Sequence, residues 1–144
     1  MSNDPLKILL VEDNEGDILL TTEALGDCKI SNELKVLRDG NEALQYLMHQ
    51  AKLGGNELPD LILLDINMPK KNGHEVLNSV KNHPELKHIP IIILTTSSSE
   101  IDILKAYQEH ANCYIIKPLD VDDFLTITSK IEEFWFNIAK LPKT

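Results

Sequence analysis

The sequence predicts an α/β fold, a five-stranded parallel sheet with helices on both faces, and three observations carry that reading. Short apolar runs of strand length alternate with amphipathic stretches of helix length, the pattern of successive βα units. Turn-forming residues fall between the runs and the stretches. Four of the runs deliver a polar group at their carboxyl end, the end where parallel sheets hold ligands.

Ile8-Leu9-Leu10-Val11 is apolar throughout and reads as a strand buried on both faces. An amphipathic stretch near 17–26 follows as the first helix. Leu34-Lys35-Val36-Leu37 alternates, which suits a strand nearer the sheet edge, and Asp39-Gly40 closes it. The second helix lies near 41–52, and Gly54-Gly55-Asn56 leads out of it. Leu61-Ile62-Leu63-Leu64 is the third strand and 74–82 the third helix. Pro84 and Pro90 bracket the connection into Ile91-Ile92-Ile93-Leu94, the fourth strand, with a helix near 99–110 after it. Tyr114-Ile115-Ile116 reads as the fifth strand, also buried on both faces. The last helix, near 121–139, carries Val121, Phe124, Leu125, Thr128, Ile131, Trp135 and Ile138 at three- and four-residue steps. Ile127, Phe134 and Leu141 fall beside that stripe, so its apolar arc is wider than one sheet face needs.

A chain of 144 residues suits one domain spanning 1–144, with a core over about 6–130 and a C-terminal helix extension over about 131–144. Cys28 and Cys113 match no metal spacing and are too few for a disulfide framework, which points to a reducing, cytoplasmic setting and to both residues as apolar fillers. No run has the length of a membrane span, and the polar start Met1-Ser2-Asn3-Asp4-Pro5 does not resemble a secretion signal. The expectation is no contact with membrane. A formal charge of −9 argues against a nucleic-acid surface, because phosphate contacts need clustered Lys and Arg.

The polar groups at the strand ends are Glu12 and Asp13, Asp65, Thr95, and Lys117. Three carboxylates crowded together repel by several kcal/mol per pair, at ~4 Å and an effective dielectric of about 20, so either a cation offsets them or the protons stay on. Oxygen ligands without His or Cys point to magnesium. Asp13 and Asp65 are the expected direct ligands, with Glu12 holding a metal water and the Asn67 carbonyl completing the set. Asp65 would then attack a phosphoryl donor while Lys117 and the Thr95 hydroxyl hold the transferred oxygens.

Each residue also has a plainer reading. Glu12-Asp13-Asn14 could be an acidic helix start with a capping side chain. Asp65 could be a turn former before Asn67-Met68-Pro69, Thr95 and Thr96 ordinary strand residues, and Lys117-Pro118 an exposed strand end. The conjunction decides, because the polar groups fall at the same end of successive βα units.

The segments Lys7-Ile8-Leu9-Leu10-Val11-Glu12-Asp13, Leu63-Leu64-Asp65-Ile66-Asn67-Met68-Pro69, Leu94-Thr95-Thr96 and Lys117-Pro118 closely resemble response-regulator receiver domains, over essentially the whole chain. The resemblance implies a flavodoxin-like (βα)5 receiver fold with an extended C-terminal helix. It implies that Asp65 takes a phosphoryl group from a sensor histidine kinase or a phosphotransfer protein, that Glu12, Asp13, Asp65 and Asn67 organise Mg2+, and that Thr95 and Lys117 bind the phosphoryl group. Such a domain catalyses only its own phosphorylation and dephosphorylation. The resemblance further implies a switch in which Thr95, with Thr96, moves toward the phosphate and Tyr114 turns inward, and a cis peptide at Lys117-Pro118. Tyr114 read without it is an edge-strand aromatic covering the sheet.

Asn112-Cys113-Tyr114, the Phe134-Trp135 ending and the Gly54-Gly55-Asn56-Glu57-Leu58-Pro59 connection are similar to the small regulators paired with bacterial and cyanobacterial phytochrome kinases. A homodimer is expected on the face of the fourth helix, fifth strand and fifth helix, with Tyr107, Tyr114, Phe134, Trp135 and Ile138 on it. The alternative is that the extra apolar residues fold back on the same domain. Lys70 and Lys71 could steer the acidic site toward a phosphohistidine partner, or form a solvated turn. Two rival functions remain. A binding module that works without phosphate is one. A magnesium-dependent phosphohydrolase of the haloacid-dehalogenase type is the other, and it would need an acid two residues after its nucleophile, where this chain has Asn67.

Overall fold

The computed structural model describes residues 5–26, 31–55, 57–66, 73–95 and 99–116. Along them run β1 (Leu6–Val11), α1 (Glu15–Gly26), β2 (Asn32–Leu37), α2 (Gly40–Lys52), β3 (Leu61–Leu64), α3 (Gly73–Lys81), β4 (Ile91–Thr95), α4 (Glu100–Gln108) and β5 (Cys113–Ile116). The strands are parallel and lie side by side in the order β2-β1-β3-β4-β5. No helix among the described residues is long and apolar enough to cross a membrane.

The two-residue period of the strands divides their side chains between two apolar layers. Leu9, Val11, Ile62, Leu64, Ile91 and Ile93 pack with Leu44 and Leu47 of α2, Val76 and Leu77 of α3, and Ala106 of α4. Leu6, Ile8, Leu10, Leu61, Leu63 and Ile92 pack instead with Ile18 and Leu25 of α1. The continuous apolar runs of β1, β3 and β4 are therefore the consequence of helices on both faces. Burying each Leu or Ile contributes about 1.5–3 kcal/mol against leaving it in water.

The edge strands differ from the central ones. β2 alternates between half-buried and exposed positions, as its mixed sequence predicts. Tyr114-Ile115-Ile116 does not behave as predicted, since Tyr114 is only half-buried and Ile116 is 43% exposed. Among the described residues β5 is the last strand of the sheet, with one neighbour, β4, and at such a margin fewer elements are at hand to cover Tyr114 and Ile116. The predicted fifth helix near 121–139, its extension over 131–144, and Cys28 lie outside the described residues.

The helices start and stop for local reasons. Asp39 caps α2, accepting the Glu42 N–H at 2.8 Å, so Asp39-Gly40 opens a helix as much as it closes a strand. Both α2 and α4 end in a Schellman motif, in which one residue turns left-handed and two N–H groups fold back onto helix carbonyls. At the end of α2 that residue is Gly54, with φ 100°, and the bonds run from Gly54 N–H to Ala51 and from Gly55 N–H to Gln50. After α4 it is His110, with φ 72°, and the bonds run from His110 N–H to Tyr107 and from Ala111 N–H to Ala106.

A polar staple fixes the start of β5. Asn112 exchanges two bonds with the Ile91 backbone, its N–H reaching the carbonyl and its Oδ1 accepting the N–H, each at 2.9 Å. Lys81 Nζ, at the end of α3, donates to the carbonyls of Ile89 and Lys87 and to Asn112 Oδ1 at 2.8, 3.2 and 3.3 Å.

Candidate functional site

β1 pairs with β2 on one side and β3 on the other, so the connections leaving β1 and β3 part at the carboxyl end of the sheet and leave a crevice there. Val11 and Leu64 are register partners, and the residues that follow, Glu12 and Asp65, therefore emerge side by side. Backbone bonds carry the ladder one step further on each strand: Asp65 N–H donates to Val11 and Glu12 N–H to Leu37, both at 3.0 Å. The positions of the acids are thus set by the sheet rather than by a free loop.

Glu12 and Asp65 are buried, 1% and 7% exposed, whereas Asp13 faces solvent. One carboxylate oxygen from each of Glu12, Asp13 and Asp65 lies within 4.8 Å of the others. Two ionised carboxylates at ~4 Å repel by about 4 kcal/mol at an effective dielectric of 20, and three do so pairwise. A hard divalent cation relieves that repulsion, and an all-oxygen set with one member open to water is the donor chemistry that such an ion takes. Glu12, Asp13 and Asp65 fit a divalent metal.

The plainer reading of Glu12-Asp13-Asn14 is met by one residue of the three. Asn14 caps α1, its Oδ1 accepting the Asp17 N–H at 3.0 Å, while the Glu12 carboxylate accepts the Asn14 N–H at 3.3 Å. The helix start consumes Asn14 and leaves the Asp13 carboxylate at the mouth of the cluster. At the rim, the Arg38 guanidinium pairs with the Glu15 carboxylate on the first turn of α1.

Thr95 is the last residue of β4 and fully buried. Leu64 is paired with Ile93, so Thr95 stands one step beyond the level of Asp65 on the neighbouring strand. Asn67, Thr96, Lys117 and Pro118 lie outside the described residues, as do Phe134, Trp135 and Ile138. Tyr114 is half-buried and packs against the main core, and its backbone N–H donates to the Tyr107 hydroxyl at 3.1 Å. Around Tyr107, which is 48% exposed, Ile101, Leu104 and Ile116 also show apolar surface to solvent.

Sequence reasoning missed Gly73. Its N–H donates to the Ile66 carbonyl at 3.1 Å, and a β-carbon there would stand 2.4 Å from Ile66 Cα and 2.5 Å from the Asp65 carbonyl oxygen. Those separations are impossible for any side chain, so the first residue of α3 is pressed onto the backbone that carries Asp65. The available signal was a glycine at the start of a predicted helix, where it contributes nothing to helix propensity.

Residues 8–129 match the family described as Response regulator receiver domain. The response regulator Rcp1 of Synechocystis sp. is 44% identical over 141 residues, covering 98% of this chain and 96% of that protein. A probable methanogenesis regulatory protein, FilR2 of Methanothrix harundinacea, is 41% identical over 142 residues, covering 98% and 90%. Among solved structures, the phosphorylated cyanobacterial phytochrome response regulator RcpA matches with TM-score 0.90 and 46% identity, over 97% of this chain and 100% of that one. The Mn2+-bound form of Rcp1 matches with TM-score 0.89 and 43% identity, over 96% and 100%.

Proposed function

The chain belongs to the response regulator receiver domain family of two-component signalling, and from that premise we propose that Asp65 is its phosphoacceptor, charged by a histidine kinase or phosphotransfer protein in the cytoplasm. The observation that carries this reading is the meeting of the Glu12, Asp13 and Asp65 carboxylates within 4.8 Å at the sheet's switch point. Asp65 is buried but stands beside the exposed Asp13, so one face of the cluster is open to an incoming group.

Asp13, Asp65, Glu12 and the Asn67 carbonyl would hold Mg2+, which supplies positive charge against the transferring phosphoryl oxygens. A carboxylate oxygen of Asp65 attacks phosphorus; the O–P bond forms as the P–N bond of the donor phosphohistidine breaks, and the departing imidazole takes up a proton. The Thr95 hydroxyl and Lys117 bind the transferred oxygens and orient them. Movement of Thr95 toward the phosphate, with Thr96, and inward rotation of Tyr114 then alter the α4–β5 surface. That surface, with Tyr107 and the residues predicted on the last helix, is the proposed seat of a homodimer; Ile101, Leu104 and Ile116 give it an apolar character.

A phytochrome-type kinase is the proposed donor. The support is likeness to RcpA, a cyanobacterial phytochrome response regulator crystallised in phosphorylated form.

Intact mass after incubation with acetyl phosphate, with and without Mg2+, tests the chemistry on wild type and Asp65→Asn. A Mg2+-dependent gain of one phosphoryl group that vanishes in the variant is the expected result. No gain under any condition would overturn the phosphoacceptor reading and leave a binding module on a receiver scaffold.

A further inference from the structure

His74, the residue after Gly73, is buried between α3 and α4 with its side chain only 9% exposed. Its Nε2 lies 3.3 Å from Oδ1 of Asp102, in the first turn of α4, and its Nδ1 lies 3.4 Å from Oε1 of Glu109, which caps the other end of that helix. One imidazole thus touches both ends of α4. A ring with a single N–H donates at one nitrogen and accepts at the other, so between two carboxylates it must present a lone pair to one of them. His74 Nδ1 and Glu109 Oε1 are buried, adjacent, and lack a hydrogen-bond partner. A ring protonated on both nitrogens removes the conflict with a small reorientation.

Among the described residues, Asp102 and Glu109 are the charged groups facing the ring. Glu75 on α3 and Lys105 on α4 are exposed, and the side chains that α2 and the sheet pack against α3 are apolar. We propose that His74 is a proton-controlled latch on α4. With both nitrogens protonated it holds both ends of the helix; as pH rises and one proton leaves for solvent, one hold is lost and α4 loosens. The latch is adjacent in sequence to Gly73, whose N–H is bound to Ile66 beside Asp65, so α3 touches the backbone of the acid cluster next to the latch.

The test uses the full chain without any phosphoryl donor, so its outcome is separate from that of the phosphoacceptor reading. Amide hydrogen exchange across α4 is measured at about pH 6 and about pH 8, corrected for the intrinsic pH dependence of exchange. Wild-type exchange is expected to speed up by about tenfold or more at the higher pH, the loss of one charge-assisted bond. His74→Gln is expected to exchange fast at both. Glu109→Gln, whose amide can donate to a neutral ring, is expected to exchange slowly at both. A wild type without a pH response, or an unchanged pH response in Glu109→Gln, would overturn the latch. Should His74→Gln not fold, the Glu109→Gln arm decides alone.

Discussion

The hydroxyl of Tyr107 on α4 accepts the backbone N–H of Tyr114 on β5 at 3.1 Å. Among the described residues β5 is an edge strand, and alternate N–H groups of such a strand point away from the sheet. A helix side chain thereby takes the place of a missing strand at one position. Tyr107→Phe keeps the ring and removes the acceptor. It is expected to cost about 0.5–1.5 kcal/mol at most, with the amide of Tyr114 exchanging faster, as read by denaturant unfolding and hydrogen exchange.

Gly73→Ala should do more harm than its one methyl group suggests. The new β-carbon would collide with main-chain atoms of Ile66 and Asp65, which cannot swing aside as a flexible side chain does. An overpacking loss of about 1–3 kcal/mol is expected, together with a slower phosphoryl uptake from acetyl phosphate in the fraction that remains folded. Uptake at the wild-type rate would show that the contact does not set the position of Asp65.

The two Schellman ends make a matched pair of tests. His110 holds the left-handed position that Gly54 holds at the other helix, and a side chain there is strained. His110→Gly is expected to stabilise the protein by up to about 1 kcal/mol, and Gly54→Ala to destabilise it by a similar amount. Thermal unfolding of both variants beside wild type measures the difference.

Asp39→Ala removes the side chain that accepts the Glu42 N–H at the start of α2. The expected loss is about 1 kcal/mol, and Asp39→Asn should recover most of it, because an amide oxygen can also cap. Urea midpoints at constant slope would show it.

Burial holds the Lys81 ammonium below its ordinary value of 10.5. The unfolded chain therefore binds this proton more tightly than the native one, so titration of Lys81 makes stability rise as pH climbs toward 10.5. The stability of wild type relative to Lys81→Met is expected to grow over that alkaline window. A difference that shrinks there would contradict the desolvation of Lys81.

The parts of this fold that could be read from the sequence are those set by local pattern. Ile8–Val11, Leu61–Leu64 and Ile91–Leu94 are long enough apolar runs to require cover on both faces, and the mixed run at β2 marks an edge. Tyr114-Ile115-Ile116 carried no such distinction, because whether a short apolar strand is enclosed depends on strand order, which is a property of the whole sheet. The acid cluster was legible for a similar reason to the strands: parallel topology sends every strand end to one edge, so chain position alone brings Glu12, Asp13 and Asp65 together. Gly73 and His74 were not legible. Their importance lies in what α3 touches, the Asp65 backbone on one side and α4 on the other, and no periodicity encodes a tertiary approach.

Among the described residues β2 has no neighbour on its outer side, and charged side chains stand there. Glu33 and Lys35 project from it into solvent, and the Lys35 ammonium rests 4.8 Å from the centre of the Tyr46 ring. A bare strand is a template on which stray chains can add rows without limit, and alternating charges spoil the match. The polarity of β2 thus disfavours the addition of a further strand at that margin.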